Sequence, residues 1–225
     1  MTGPRRQAYT SGSRLAWLLV VLGLSARSAT LTWTNLAGGN WATPANWSPN
    51  QIPGANDSAL ITNSGNYTVS LGANAQVTNL VVGGAGGVQV LSVNNAILTV
   101  ANGGAFGTNG VLDLSGSTLN GAVTLAGTNY FAGSALGNLS ALTVASNAVL
   151  TLGGGGTEYF YGVLTNAGTV NWTGTGNLQI YNNYSGAYQI GGVVNLPGAL
   201  FNAQNDQAIN GSGTPYFNNA GAFLK

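Results

Sequence analysis

The sequence has no cysteine and no histidine, and charged residues make up only 4% of its 225 positions. Without cysteine there is no disulfide framework, no thiol nucleophile and no site for lipid attachment through sulfur. Lacking both residues, the chain cannot build thiolate or imidazole metal sites, nor Ser-His or Cys-His nucleophilic arrangements, from its own side chains. Bases are also few: Arg5, Arg6, Arg14, Arg27 and Lys225. Four of the five fall before residue 28, so the rest of the chain sets Lys225 against Asp57, Asp113, Glu158 and Asp206. Such a chain cannot neutralise phosphates, which excludes nucleic acid and anionic membrane surfaces as partners. No apolar run reaches the roughly 20 residues that span a bilayer, so no membrane insertion is expected.

The clustered arginines explain themselves. They precede and flank the apolar run "LAWLLVVLGL" at residues 15–24, which is followed by the small-residue stretch "SARSA". A basic start, a short apolar run and small residues are the anatomy of a secretory signal. Cleavage after Ser28 puts Ala26 and Ser28 at the small-residue positions, whereas cleavage after Ala29 would put Arg27 at one of them. The expected localisation is therefore secreted or cell-surface, with residues 1–28 as the signal.

What the remainder has in abundance is glycine, asparagine, threonine and short β-type runs. Examples are "YTVSLG", "VQVLSV", "AILTVANGG", "GVLDLSGS", "AVLTLGGGG" and "GTVNWTG". Apolar and β-branched residues alternate in them with Ser, Thr, Asn or Gln, the pattern of half-buried strands. Hydrophobic residues at 44% argue against disorder. A repeat overlies the runs: Leu98 opens "LTVANGGAF", Leu142 "LTVASNAVLTL" and Leu164 "LTNAGTVNW", at spacings of 44 and 22, with Leu119 near the missing midpoint. The phrase "NNAGAF" at 218–223 echoes "TNAGTV" at 165–170. Self-similarity with a period of about 22 residues, and several strands per repeat, predicts an all-β fold: a right-handed, single-stranded parallel β-helix, or β-solenoid. A sandwich or jelly roll is the alternative; it also has evenly spaced strands but does not require self-similarity. Inward residues should form apolar ladders, and outward Asn, Thr and Ser ladders should replace charge as the solvated face.

The region before the coils carries a separate pattern. Trp33, Gly39, Asn40, Trp41, Asn46, Trp47, Pro53, Gly54 and Asp57 spell a "W…GNW…NW…P…D" stretch, followed by "ALITNSGNYTVSL". With the Asn-Ala-Gly phrases downstream, this resembles the N-terminal portion of large exported bacterial β-helix surface proteins, of the autotransporter-passenger or surface-repeat kind. The resemblance implies export and a coil stack, with a role in adhesion or carbohydrate association, and specifies no chemistry. Residues 29–61 are expected to form an N-terminal cap built on Trp33, Trp41, Trp47 and Asp57, because the first strand edge of a stack needs a cover. Residues 62–225 are expected to be coils, and the ending "NNAGAFLK" in mid-phrase predicts a chain truncated at its C-terminus.

Candidate chemistry is sparse. Asp113 and Glu158 lie 45 positions apart, about two coils, and a shared face would put them near the carboxyl separation of an inverting glycosidase. The bland reading makes both isolated, solvated residues beside turns, and no catalytic residue is assigned. A polysaccharide lyase would need bases that the chain lacks. Glu158 in "GGGGTEYFY" matches a calcium-binding nonapeptide once, where tandem copies are needed, so the run reads as a flexible turn. Asp57 in "GANDSALI" could hold a cation, but an Asx-type turn accepting backbone N–H groups is the preferred reading. No metal and no cofactor is expected.

Aromatics remain. Tyr159 and Tyr161 fall on one side of a strand and Phe160 on the other, and Tyr181, Tyr184 and Tyr188 follow about one coil later. Facing inward the tyrosines would be core or coil-ladder stacking, the preferred reading. Facing outward, Tyr159, Tyr161, Tyr181 and Tyr184 would form a platform for sugar rings, with Asn182 and Asn183 hydrogen-bonding to hydroxyls. The expected function is a non-enzymatic, adhesin-like structural segment whose partner is an extracellular polysaccharide or a host or matrix surface. A carbohydrate-binding module and a polysaccharide-degrading enzyme follow in that order.

Overall fold

The computed structural model describes Gly3, residues 27–184 and residues 188–225. The signal-like run at 15–24 therefore lies outside the described residues. What is described is all-β, apart from one 3-10 turn at Pro44–Asn46. About seven turns of roughly 22 residues stack into a β-solenoid.

Two sheets make its walls. The nine-stranded sheet stacks Gly39–Asn40, Tyr67–Leu71, Gln89–Asn94, Gly110–Ser115, Thr128–Ala132, Val149–Gly153, Thr169–Trp172, Leu200–Ala203 and Ala222–Leu224, each parallel to the next. The fourteen-stranded sheet is forked. Its stem runs from Trp47–Ser48 through Thr30–Trp33, Ser58–Ile61, Ala75–Val82 and Ile97–Phe106 to Thr118–Leu125. There it divides. The first branch continues through Ala135–Leu136, Glu158–Phe160, Leu178–Asn182 and Ile209–Gly213, the second through Ala141–Val144, Val163–Asn166, Gly192–Asn195 and Tyr216–Asn219. Long stem strands thus supply two sides of a coil, with register shifts between Val77 and Asn79 and between Gly121 and Val123. After the fork, each side has its own short strand.

Alternation produces the core. Leu71, Val93, Leu114, Phe131, Leu152, Trp172 and Ala203 are in successive register along the nine-stranded sheet, and all are buried. Rungs about 4.8 Å apart bring such side chains into direct contact, and each fully buried aliphatic contributes roughly 1.5–3 kcal/mol. Between the apolar positions, outward polar groups bond along the stack: Asn79 Nδ2 donates to Ser58 Oγ at 3.1 Å, and Gln179 Nε2 to Ser212 Oγ at 3.1 Å. These bonds solvate the outer wall without charge.

The periodicity needs one correction. Leu98 pairs with Leu119, and Leu142 pairs with Leu164, but Leu142 is in register with Val123. The spacing of Leu98 and Leu142 therefore joins positions on different sides of the solenoid. Coils are also unequal. Leu114 and Phe131 are register partners across a coil shorter than the regular repeat, whereas Val170 and Phe201 are partners across a longer one. The echo at 218–223 does hold, since Thr165, Val194 and Asn218 share a register, as do Val170, Phe201 and Phe223.

Not every polar ladder faces out. Asn166 and Asn195 are fully buried, and their amides climb the stack: Asn166 Nδ2 donates to Asn195 Oδ1 at 2.8 Å, and Asn195 Nδ2 to Asn219 Oδ1 at 2.6 Å. The same nitrogens donate to the carbonyls of Leu200 and Ala222, each at 2.9 Å. Buried amides of this kind satisfy the corner carbonyls that turning the chain leaves unpaired.

Candidate binding site

Glu158–Phe160 opens the site because it alternates. Glu158 and Phe160 are buried, and Tyr159 between them is 38% exposed. The tyrosines consequently lie on the outer wall, with Tyr161 and Tyr181 half-buried, so the core stacking in the preferred expectation is corrected while its coil-ladder stacking is found. The ring of Tyr161 lies 4.9 Å from that of Tyr181 with planes 17° apart, and 6.3 Å from that of Tyr159 with planes 9° apart. Tyr159 and Tyr181 are 6.5 Å apart, and Tyr184 tilts against Tyr181 at 5.3 Å and 58°.

Register explains the grouping. Tyr159 pairs with Gln179, and Phe160 with Ile180, so the residue beside Tyr161 on the next rung is Tyr181. The closest stack is thus Tyr161 on Tyr181, rather than Tyr159 on Tyr181 as the repeat length alone would suggest. Burial raises the Tyr161 phenol above its ordinary range, and the neighbouring Tyr181 and Tyr159 raise it further. The central ring therefore stays neutral at physiological pH, presenting apolar surface and a hydroxyl together.

The asparagines predicted beside them are partly occupied. Asn182 Oδ1 accepts from Thr214 Oγ1 at 3.2 Å, and Asn182 Nδ2 donates to the Gly191 carbonyl at 3.3 Å. Asn183 is exposed, with φ of 52°, and donates through Nδ2 to Thr214 Oγ1 at 3.4 Å. A feature that sequence reasoning missed lies across from them: Asn138 Nδ2 donates to the Tyr188 carbonyl at 2.7 Å, tying a second turn to the site. That turn carries Leu139, 60% exposed at φ of 58°. Tyr188, at 70%, is the most exposed tyrosine near the cluster.

The two carboxylates proposed as a pair do not meet. Asp113 stands half-buried on the nine-stranded sheet, accepting from Ser92 Oγ at 3.3 Å. Glu158 belongs to the other sheet and is 1% exposed. Neither the shared face nor the solvated turn expected for Glu158 is found. Its Oε1 accepts from the Gly133 amide at 2.7 Å and its Oε2 from the Ser134 amide at 2.9 Å, so it caps the corner of the coil below. Burial pushes its carboxyl up to about 7, against the opposing pull of the two amides. Two of the glycines before it have a packing reason: a Cβ on Gly156 would stand 2.8 Å from Gly133 Cα, and one on Gly154 3.1 Å from Ala132 Cβ. They allow corners to stack rather than loops to flex.

At the first end of the stack stand the residues assigned to the cap. Trp33, Trp41 and Trp47 are buried, with Trp47 edge-on to both others at 5.1 and 4.8 Å. Trp47 Nε1 donates to the Trp41 carbonyl at 2.8 Å, and Trp47–Ser48 runs antiparallel to Thr30–Trp33 as the outermost strand of the stem. Asn46 orders the loop, donating to the Asn40 carbonyl and accepting from Asn35 Nδ2, each at 3.0 Å. Asp57 is also buried; Oδ1 accepts from the Ala29 amide and Oδ2 from the Gly54 amide, each at 2.9 Å. Asp57 accepts backbone amides as expected, but both donors precede it in the chain, so the arrangement is not an Asx-type turn.

Elsewhere, an open groove of about 530 Å³ crosses the stem, floored by small residues such as Gly103, Ala122 and Ala141. Among the described residues no three acidic groups cluster as metal ligands. Comparison with protein-family models, with curated proteins and with solved structures finds no match to this chain.

Proposed function

We propose that this chain is a non-enzymatic segment of an exported surface or extracellular protein, and that it makes adhesive contact with polysaccharide through the tyrosine cluster. The observation that carries the reading is the outward, near-parallel set of Tyr159, Tyr161 and Tyr181 with Tyr184 tilted beside it. Sugar rings have apolar faces of C–H groups and a rim of hydroxyls, and aromatic rings with hydroxyl and amide neighbours match both. Rigid rings on a sheet lose little entropy on contact, which suits weak, repeated contacts along a polymer. Export is supported by the signal-like anatomy of residues 1–28, and the adhesin-like role by the resemblance of residues 31–100 to exported β-helix proteins. Separation of Asp113 and Glu158 onto different sheets removes the motive for a glycosidase reading.

The test is a glycan-array screen of the exported chain, followed by retention on the matching insoluble polysaccharide. Binding that disappears in Tyr161→Ala supports the reading. Uniform absence of binding across the array, or binding indifferent to Tyr161 and Tyr181, contradicts it.

A further inference from the structure

The first end of the chain shows a sharp boundary. Arg27 and Ser28 are exposed, whereas Ala29 is half-buried, packs on the core, and passes its carbonyl to the Ser58 amide at 2.8 Å. Its own nitrogen is 2.9 Å from Asp57 Oδ1. Of residues 27–29, the one that packs on the core is thus the residue that follows the small-residue position Ser28 of the signal-like segment.

Asp57 has an unmet requirement. It is 5% exposed, and its carboxylate is held by the Ala29 and Gly54 amides and by Gln51 Nε2 at 3.3 Å, none of which carries charge. Between Arg27 and Asp113 the sequence has no Lys, Arg, His or Glu, and Tyr67 is the one further titratable residue. A buried carboxylate without a cation is costly, and side chains nearby in sequence offer none.

We infer that Ala29 is the first residue of the exported chain and that its α-ammonium is the counter-ion of Asp57. Hydrolysis of the Ser28–Ala29 peptide bond by an export-associated peptidase consumes one water, leaves a carboxylate on Ser28, and frees an amine on Ala29 that takes up a proton. The nitrogen is already within bonding distance of Oδ1, so an amide hydrogen bond becomes a charge-assisted one without movement of the fold. Processing then locks the first strand to the 51–57 loop. The inference rests on the export reading above.

The exported chain would carry two amines, on Ala29 and on Lys225, which permits a direct test. The full chain with its leader is expressed in an exporting host, and the product is treated with an N-hydroxysuccinimide acetate at several pH values. Mass spectrometry locates the first residue and reads acetylation at each amine. An ordinary α-amine titrates well below a lysine and labels first. The expected product begins at Ala29, and at pH 8 its α-amine labels about four- to fivefold more slowly than in Asp57→Asn, with Lys225 labelling unchanged as the internal reference. Should Asp57→Asn not accumulate, the wild-type profile alone decides: half-labelling about one pH unit above the ordinary α-amine range supports the pair. A product that begins at Ala29 but labels like an ordinary α-amine overturns the pairing while leaving export intact. A product beginning at another residue overturns the assigned start. An unprocessed chain retaining Met1 overturns the inference together with the export reading.

Discussion

The tryptophan cluster at the start of the stack and the tyrosine cluster of the later coils put the same ring chemistry to opposite ends. At the start of the stack Trp33, Trp41 and Trp47 are buried edge to face against the first rungs. In the later coils Tyr159, Tyr161, Tyr181 and Tyr184 lie on the outer wall, and the closest pair is nearly parallel. The difference is one of strand parity and chain end. The indoles fill the interior behind the outermost stem strand, Trp47–Ser48, whereas the phenols sit on rungs already paired by their neighbours. Removing rings should therefore damage the fold in one place and contacts in the other.

The largest effect is expected at Trp47, the central indole. Trp47→Ala should destabilise the chain by about 3–5 kcal/mol, read from chemical denaturation. Because a solenoid couples mainly to nearest neighbours, hydrogen exchange should rise first in Thr30–Trp33 and Ser58–Ile61 and only weakly in the last coils.

Next comes Glu158, which buries a carboxyl beneath the tyrosines. Its folded value, raised to about 7, means that the fold binds a proton more tightly than the unfolded chain does. Its contribution is therefore fully present below the unfolded value near 4.5, declines as pH rises, and is lost above about 7, a change of about 3 kcal/mol. Subtracting the Glu158→Gln profile from that of wild type should isolate this slope, and a flat difference between pH 4.5 and 8 would refute it.

Asn195 tests the corner ladder. Asn195→Ala takes from Asn166 Nδ2 one of its two acceptors and strips Asn219 Oδ1 and the Ala222 carbonyl of their donor, and should cost about 1–3 kcal/mol, measurable as a lowered Tm. The smallest effect on stability is expected from Tyr161→Ala, within about 1 kcal/mol, because the ring is partly solvated and loses only its stacking with Tyr159 and Tyr181.

How far these contrasts were legible beforehand depends on whether the signal was local. Alternation placed Tyr159 and Tyr161 opposite Phe160, and self-similarity announced a solenoid. Whether that side faced out was set by Phe160 entering the core, which needs knowledge of the neighbouring rungs. The four glycines ahead of Glu158 make it look like a surface residue. Its actual partners, the amides of Gly133 and Ser134, belong to a corner one coil earlier, and no spacing within the run points to them. The Asn166–Asn195–Asn219 ladder did leave a trace, since each Asn stands just before a turn containing glycine. Unequal coils hid it, because both steps of the ladder are longer than the regular repeat and differ from each other. The fork after Thr118–Leu125 likewise made Leu98 and Leu142 look equivalent although they belong to different sides.

The claim that the tyrosine wall is a contact surface rather than part of the fold is tested most directly by a Tyr161→Ala/Tyr181→Ala double variant. Retention on the polysaccharide selected by the array should be compared with that of wild type at a temperature where both are folded. The account predicts that retention falls at least about tenfold, roughly 1.4 kcal/mol, while the unfolding midpoint barely moves. Unchanged retention, or a collapse of stability like that expected for Trp47→Ala, would contradict it.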